Sequence, residues 1–302
     1  MLYKIKNDIV IPVKEKEFKL EKDIQKLVEN NLFELLGLKF ICTEFNINNY
    51  RLDTLAYDEE NKSFIIIEYK RGRNESLVDQ GYTYLNILLD RKADFILKYN
   101  EAFNENKNLS DFDFSGSRVI FVSPKFTDYQ MGANDFMNSP IDLIRIVKYE
   151  DNIIELDRIV KKNNAKLEFN SNKNNVISKV NKEIKTYTEE DHFAGKSDDL
   201  VELYDAFKSG ILNWSNIDVD PKKMYIAFKG RTNIVDFIIK KKKLYILVNL
   251  KKGELSDPKN IARDVSTLGR WGNGDYEISV NNNDNLEYIL SLIKQSWEKN
   301  KK

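Results

Sequence analysis

One histidine, one cysteine and five prolines are all that this 302-residue chain holds of three chemically decisive residue types. A zinc centre takes about four ligands drawn mostly from Cys and His, and Cys42 with His192 cannot supply them. Nucleophilic catalysis of the Ser-His-Asp or Cys-His kind would rest on His192 alone, which lies in a polar stretch rich in Lys and Asn. A lone cysteine forms no internal disulfide, so the expected location is intracellular, in the cytoplasm. Long apolar runs are missing too. The longest, such as Phe64-Ile65-Ile66-Ile67, are strand-sized, against the roughly 20 residues of a membrane span. The start, Met1-Leu2-Tyr3-Lys4-Ile5-Lys6, lacks the apolar region of a signal peptide. No membrane contact is expected. An enzyme built from this inventory has to work with carboxylates and lysines, and with a metal that prefers oxygen ligands.

What is present points to a folded protein. Hydrophobic residues make up 41% and charged residues 32%, which excludes both a disordered polymer and a membrane protein. The length suggests two domains, each able to bury its own core. The 48 basic and 48 acidic side chains balance overall but not locally. Residues 1–160 carry 22 Lys and Arg against 28 Asp and Glu, a net of −6, and residues 161–302 carry 26 against 20, a net of +6. Between the halves, residues 161–195 are rich in Asn, Lys, Ser and Glu. They read as a linker with a helical turn around 176–184, separating a domain at 1–160 from one at 196–302.

Periodicity supplies the elements. Leu20, Ile24, Leu27, Val28, Leu32, Leu35 and Leu36 recur at helical spacing, which predicts one helix over 20–36 capped by Gly37. Strands follow at 40–47, 51–57 and 63–69, then a helix at 75–89, a buried strand at 118–122, a helix at 128–137 and a strand at 141–149. This is an α/β plan, a mixed sheet flanked by helices. The second half predicts a smaller α+β domain, with helices at 197–208, 259–268 and 286–297 and strands at 224–228, 233–240, 244–250 and 276–280.

Chemistry concentrates in two strands. Asp53 interrupts Arg51-Leu52-Asp53-Thr54-Leu55, and Glu68 and Lys70 end the apolar strand Phe64–Tyr69. Two positions apart on a strand, Glu68 and Lys70 share a face. A short hairpin joins their strand to that of Asp53, making the carboxylates cross-strand neighbours. Without a cation, such a pair repels and one pKa rises. With Mg2+ the clustering makes sense.

Asp53, fourteen residues, then Glu68-Tyr69-Lys70 resembles the PD-(D/E)XK nuclease superfamily, with Leu52 in place of the usual Pro. Gln80-Gly81-Tyr82-Thr83-Tyr84 is similar to the Q-x-x-x-Y motif of its RecB-like and NucS-like branches. The resemblance covers about 20–149 and implies a restriction-endonuclease-like αβββαβ core. It implies that Asp53, Glu68 and the Tyr69 carbonyl hold Mg2+ (or Mn2+), and that Lys70 orients the attacking water or stabilises developing charge. Glu21, opening the first helix, would bind a second metal or a metal-bound water, with Glu29 and Glu34 as competing candidates. Gln80 and Tyr84 would position the lysine or contact the nucleic-acid backbone. Arg71 and Arg73, just past the strand, suit phosphate contacts. The expected function is metal-dependent hydrolysis of phosphodiester bonds in nucleic acid, DNA favoured, in repair, restriction or defence. The alternative is an inactive module of the same fold that binds nucleic acid or a protein. Many nucleases of this fold dimerise, so a homodimer or a partner protein is a further expectation.

The chain from 198 to 297 resembles a small domain of unknown function found beside nuclease-like modules and sometimes labelled transport-related. The resemblance rests on Lys251-Lys252-Gly253-Glu254-Leu255, Ala262-Arg263-Asp264-Val265 and 269–276. Its positive charge, with Lys251, Lys252, Arg263, Arg270 and Trp271 near loops, is compatible with contact to nucleic acid.

Overall fold

The structure, a computed structural model, describes residues 2–72, 77–135, 139–161, 176–268 and 272–301. It divides into two units, Met1–Thr186 and Tyr187–Lys302.

The first unit begins with a hairpin, β1 (Tyr3–Lys6) and β2 (Ile9–Pro12), and the short strand β3 (Glu15–Lys16). The helices α1 (Glu21–Asn30) and α2 (Leu32–Leu36) lead into β4 (Lys39–Ile47), β5 (Tyr50–Asp58) and β6 (Ser63–Tyr69). Next come α3 (Leu77–Asp90), α4 (Lys92–Phe103), β7 (Arg118–Ser123), α5 (Asp128–Asn134), β8 (Ile141–Tyr149), β9 (Ile154–Arg158) and α6 (Val176–Glu183). The sheet runs β3-β8-β7-β6-β5-β4, with β9 also on β8. β4, β5 and β6 are antiparallel neighbours, whereas β6, β7 and β8 run parallel. The unit is therefore mixed α/β, with helices on both faces of a mixed sheet.

Every residue of β6 is buried, as expected of a central strand covered on both faces. Its alternate side chains feed two cores. Phe64 and Ile66 join Leu55, Tyr57, Tyr82, Leu85, Leu88 and Phe95 on the α3 side. Ile65 and Ile67 join Ile24, Val28, Ile120 and Ile144 on the α1 side. Each such side chain contributes roughly 1.5–3 kcal/mol by leaving water. Gly81 sets the distance between α3 and the sheet, since a Cβ there would come within 2.7 Å of Ile141 Cδ1. Gly81→Val should cost about 1–3 kcal/mol through overpacking, measured as a lowered denaturation midpoint, and the same change at the open position Gly132 should cost less.

Three elements of the fold differ from what the sequence predicts. The helix expected over 20–36 is two helices. Asn31 breaks it, its side chain donating back to the Leu27 carbonyl at 2.8 Å, a local bond that competes with the helical ladder. Gly37 does close the second piece in the left-handed region, at φ 67°. The region 161–195 is not one linker, for α6 packs on α3 with Val180 and Ile184 in the first core, while residues from Tyr187 onward belong to the second unit. Residues 162–175 lie outside the described ones. In the second unit, the helix expected over 259–268 is absent. Asp257 accepts the Ala262 amide at 2.7 Å and Asp264 the Ser266 amide at 2.9 Å, while Asn260 sits at φ 52°. These side-chain bonds hold turns instead.

The second unit contains α7 (Glu189–Phe193), α8 (Asp198–Leu212), β10 (Asp218–Pro221), β11 (Ile226–Lys229), β12 (Asn233–Ile239), β13 (Leu244–Val248), β14 (Arg263–Asp264), β15 (Tyr276–Val280) and α9 (Leu286–Lys301). Its sheet, ordered β10-β11-β12-β13-β15-β14, is antiparallel throughout. Phe207, Ile211, Ile289, Leu292 and Ile293 of α8 and α9 share a core with Phe228, Phe237 and Ile246. The architecture is α+β, as expected. Among the described residues no helix is long and apolar enough to cross a membrane.

Candidate functional site

The hairpin between β5 and β6 pairs from Asp58↔Ser63 through Thr54↔Ile67, and its ladder ends there. The next rung is made by carboxylates. The Asp53 amide donates to Glu68 Oε1 at 3.1 Å, and the Tyr69 amide donates to Asp53 Oδ2 at 3.1 Å. Asp53 interrupts the strand pattern for this reason: the strands stop bonding backbone to backbone, and two acidic side chains satisfy the freed amides. On the other side of β6 the pairing continues, with Tyr69 in register with Val122 and the Lys70 amide donating to the Val122 carbonyl at 2.9 Å. One flank of the site is thus fixed by backbone and the other by its own carboxylates.

Glu68 is 2% exposed and Lys70 14%, with Lys70 Nζ 3.4 Å from Glu68 Oε2. Gln80 Nε2 donates to the same oxygen at 3.0 Å and to the Tyr84 hydroxyl at 2.8 Å. The i, i+4 spacing on α3 brings Gln80 and Tyr84 to one face. Burial pushes the Glu68 carboxyl up to about 7, and the neighbouring Asp53 charge pushes the same way. Burial also raises Asp53, against the Tyr69 amide and the Lys70 charge. Tyr84 is pushed up to about 12 by burial, then by the Glu68 charge.

The other expected residues lie at varying remove. Glu21 accepts the Arg71 amide at 2.8 Å, at the residue after Lys70, and the Arg71 guanidinium donates to the Lys19 carbonyl. Among the described residues, no group of three or more His, Cys, Asp and Glu is placed to hold a metal. Glu21 therefore does not complete a three-acid cluster with Asp53 and Glu68. Lys251 and Lys252 follow β13 in the second unit. Their amides donate to Glu254 and Asp275, and Lys252 Nζ pairs with Asp264 at 2.7 Å. Arg73, Arg270 and Trp271 lie outside the described residues.

A polar network not anticipated from the sequence lies on the α1 side of the same strands. Gln25 Nε2 donates to the Asp53 carbonyl at 2.9 Å, to Thr43 Oγ1 at 3.0 Å and to Glu29 Oε1 at 3.0 Å. Thr54 Oγ1 donates to Glu29 at 2.6 Å and lies 3.2 Å from the Tyr69 hydroxyl. Glu29, a competing candidate for the helix carboxylate, is thereby committed to bracing β5. The only sequence signal was the i, i+4 spacing of Gln25 and Glu29.

The fold and its paired carboxylates define a two-unit α/β protein with an acidic site at the end of a central strand. Residues 189–300 match a family model described as a domain of unknown function (DUF5655). An uncharacterized protein of Haemophilus influenzae is 50% identical over 286 residues, which span 94% of this chain and 95% of that protein. The chain belongs to the family of that protein. Two solved structures also match part of it. One, titled as the structure of an EndoMS-dsDNA2 complex, is 21% identical over 39% of this chain and 43% of that one, with a TM-score of 0.26. The other, a crystal structure of a repair endonuclease from Pyrococcus abyssi, is 22% identical over 40% and 44%, also with a TM-score of 0.26. This chain spans less than half the length of either.

Proposed function

We propose that the protein is a divalent-metal-dependent nuclease acting on DNA. The observation that carries the reading is the carboxylate rung at Asp53 and Glu68 with the Lys70 ammonium beside it. The donor set fits Mg2+. It is all oxygen, and Mg2+ is commonly held by one or two carboxylates while keeping several waters. Asp53 Oδ1 takes no hydrogen bond from the described residues, and buried acids of raised pKa are what a bound cation would relieve. Asp53, Glu68 and the Tyr69 carbonyl would hold the ion, which when bound supplies polarisation of the scissile phosphate and a more acidic water. Lys70 is a fixed positive charge at the edge of this group, suited to orient a water or offset charge on the phosphate. Gln80 holds the outer oxygen of Glu68, and Tyr84 holds Gln80.

A second reading, binding without cleavage, is favoured by one observation. Both Glu68 oxygens already accept protein donors, which is also how a purely structural carboxylate behaves. The two part on a direct assay. The full chain with supercoiled DNA and Mg2+ or Mn2+ should give nicked or linear products, and a chelator should stop the reaction. No cleavage of duplex or single-stranded DNA under either metal would leave only the second reading.

A further inference from the structure

Tyr50 stands at the tip of the β4–β5 hairpin, in register with Ile47 across a turn in which Asn48 takes φ 51°. The residue is 45% exposed. Its hydroxyl makes no hydrogen bond with the described residues, so neither core packing nor a polar anchor accounts for the side chain. What it does touch is the site. The Tyr50 ring packs edge-to-face on Tyr84, with centroids 6.3 Å apart and planes at 86°. Tyr84 bonds Gln80, and Gln80 bonds Glu68. A half-exposed aromatic surface therefore lies two side chains from the buried carboxylate.

From this placement we infer that Tyr50 is a stacking platform for an unpaired nucleobase flanking the phosphate that a cation at Asp53 and Glu68 would engage. The inference rests on the proposed nucleic-acid substrate and adds to it how the strand is gripped. The first unit is close to neutral, with 29 Lys and Arg against 30 Asp and Glu, so it lacks a strong general pull on a polyanion. Base stacking on an aromatic ring needs no such field and tolerates any base, since each has a π face. The perpendicular contact with Tyr84 backs one side of the Tyr50 ring and so restricts it, which lowers the ordering cost of stacking. A paired base offers its face only at a duplex end, so the surface favours single strands, frayed ends or extruded bases.

Binding can be read without cleavage. The full chain is titrated in a chelator against a fluorescent single-stranded oligodeoxynucleotide, and against an abasic strand of the same length with the sugar–phosphate backbone alone. Tyr50→Ala and Tyr50→Leu should each raise the Kd for the natural strand about tenfold, with Tyr50→Phe within about twofold of wild type. The abasic strand should bind wild type and Tyr50→Ala alike. An unchanged Kd in Tyr50→Ala, an equal loss on the abasic strand, or no binding by wild type would each overturn the inference. Circular dichroism of the variants checks that they fold, and Tyr50→Leu keeps an apolar cover over Tyr84. Absence of metal-dependent cleavage alongside the expected pattern removes the nuclease reading but keeps the platform. Cleavage alongside a flat pattern does the reverse.

Discussion

Lys70→Ala, Asp53→Ala and Glu68→Gln should each lower the cleavage rate by about 10^3-fold or more, with the loss in kcat rather than KM. A group that meets charge developing on the phosphate acts more strongly on the transition state than on bound substrate, and removing it lowers the maximal rate. One preorganised donor in a dry site is commonly worth 10^2- to 10^3-fold, and a carboxylate that holds the ion also removes the ion's own contribution. Gln80→Ala acts through Glu68 and should cost only about 10- to 100-fold, the usual range for a group that orients a ligand. Steady-state rates on one DNA substrate, with unfolding midpoints for each variant, separate the two classes. Wild-type rates in all three site variants would mean that cleavage, if seen, comes from elsewhere.

The second large effect is on stability against pH in the metal-free protein. In the folded chain Glu68 is pushed up to about 7 from an ordinary value of 4.5, through burial and the Asp53 charge. A raised acid binds its proton more tightly folded than unfolded. The stability it contributes is thus fully present below about pH 4.5 and is lost as pH rises through 7. By the usual conversion the whole change is on the order of 3 kcal/mol. Glu68→Gln cannot titrate, so its unfolding free energy should lack this slope, whatever constant offset the amide introduces. Mg2+ should restore stability to wild type above pH 7 and do little near pH 5, because binding competes with the proton. Denaturant titrations from pH 4.5 to 8, in chelator and in Mg2+, read both. Parallel curves for wild type and Glu68→Gln would sink the prediction.

The neighbourhood of Asp53 and Glu68 was legible in the sequence because strand geometry is rigid. Two-residue spacing fixes a common face for Glu68 and Lys70, and a four-residue turn leaves little freedom in the register opposite. Gln80 and Tyr84 stood out by their likeness to the Q-x-x-x-Y motif, and helix spacing puts them on one face. Gln25, Glu29 and Thr54 were not legible, since their meeting depends on how far α1 stands from the sheet, which no local pattern encodes. The false helix at 259–268 followed from apolar spacing alone, and the Asp257 and Asp264 side chains that override it look like ordinary charges in a string of letters. Tyr50 is one of 15 tyrosines and becomes notable only once the residue is seen half exposed beside Tyr84.

The return of α6 onto α3 has a practical consequence. Anyone who wishes to produce the first unit by itself will be tempted to stop at residue 160, where the sheet is finished. That truncation strips away Val180 and Ile184 and leaves the back of α3 greasy and bare, an invitation to clump. Carried on to Thr186, the fragment keeps its own lid.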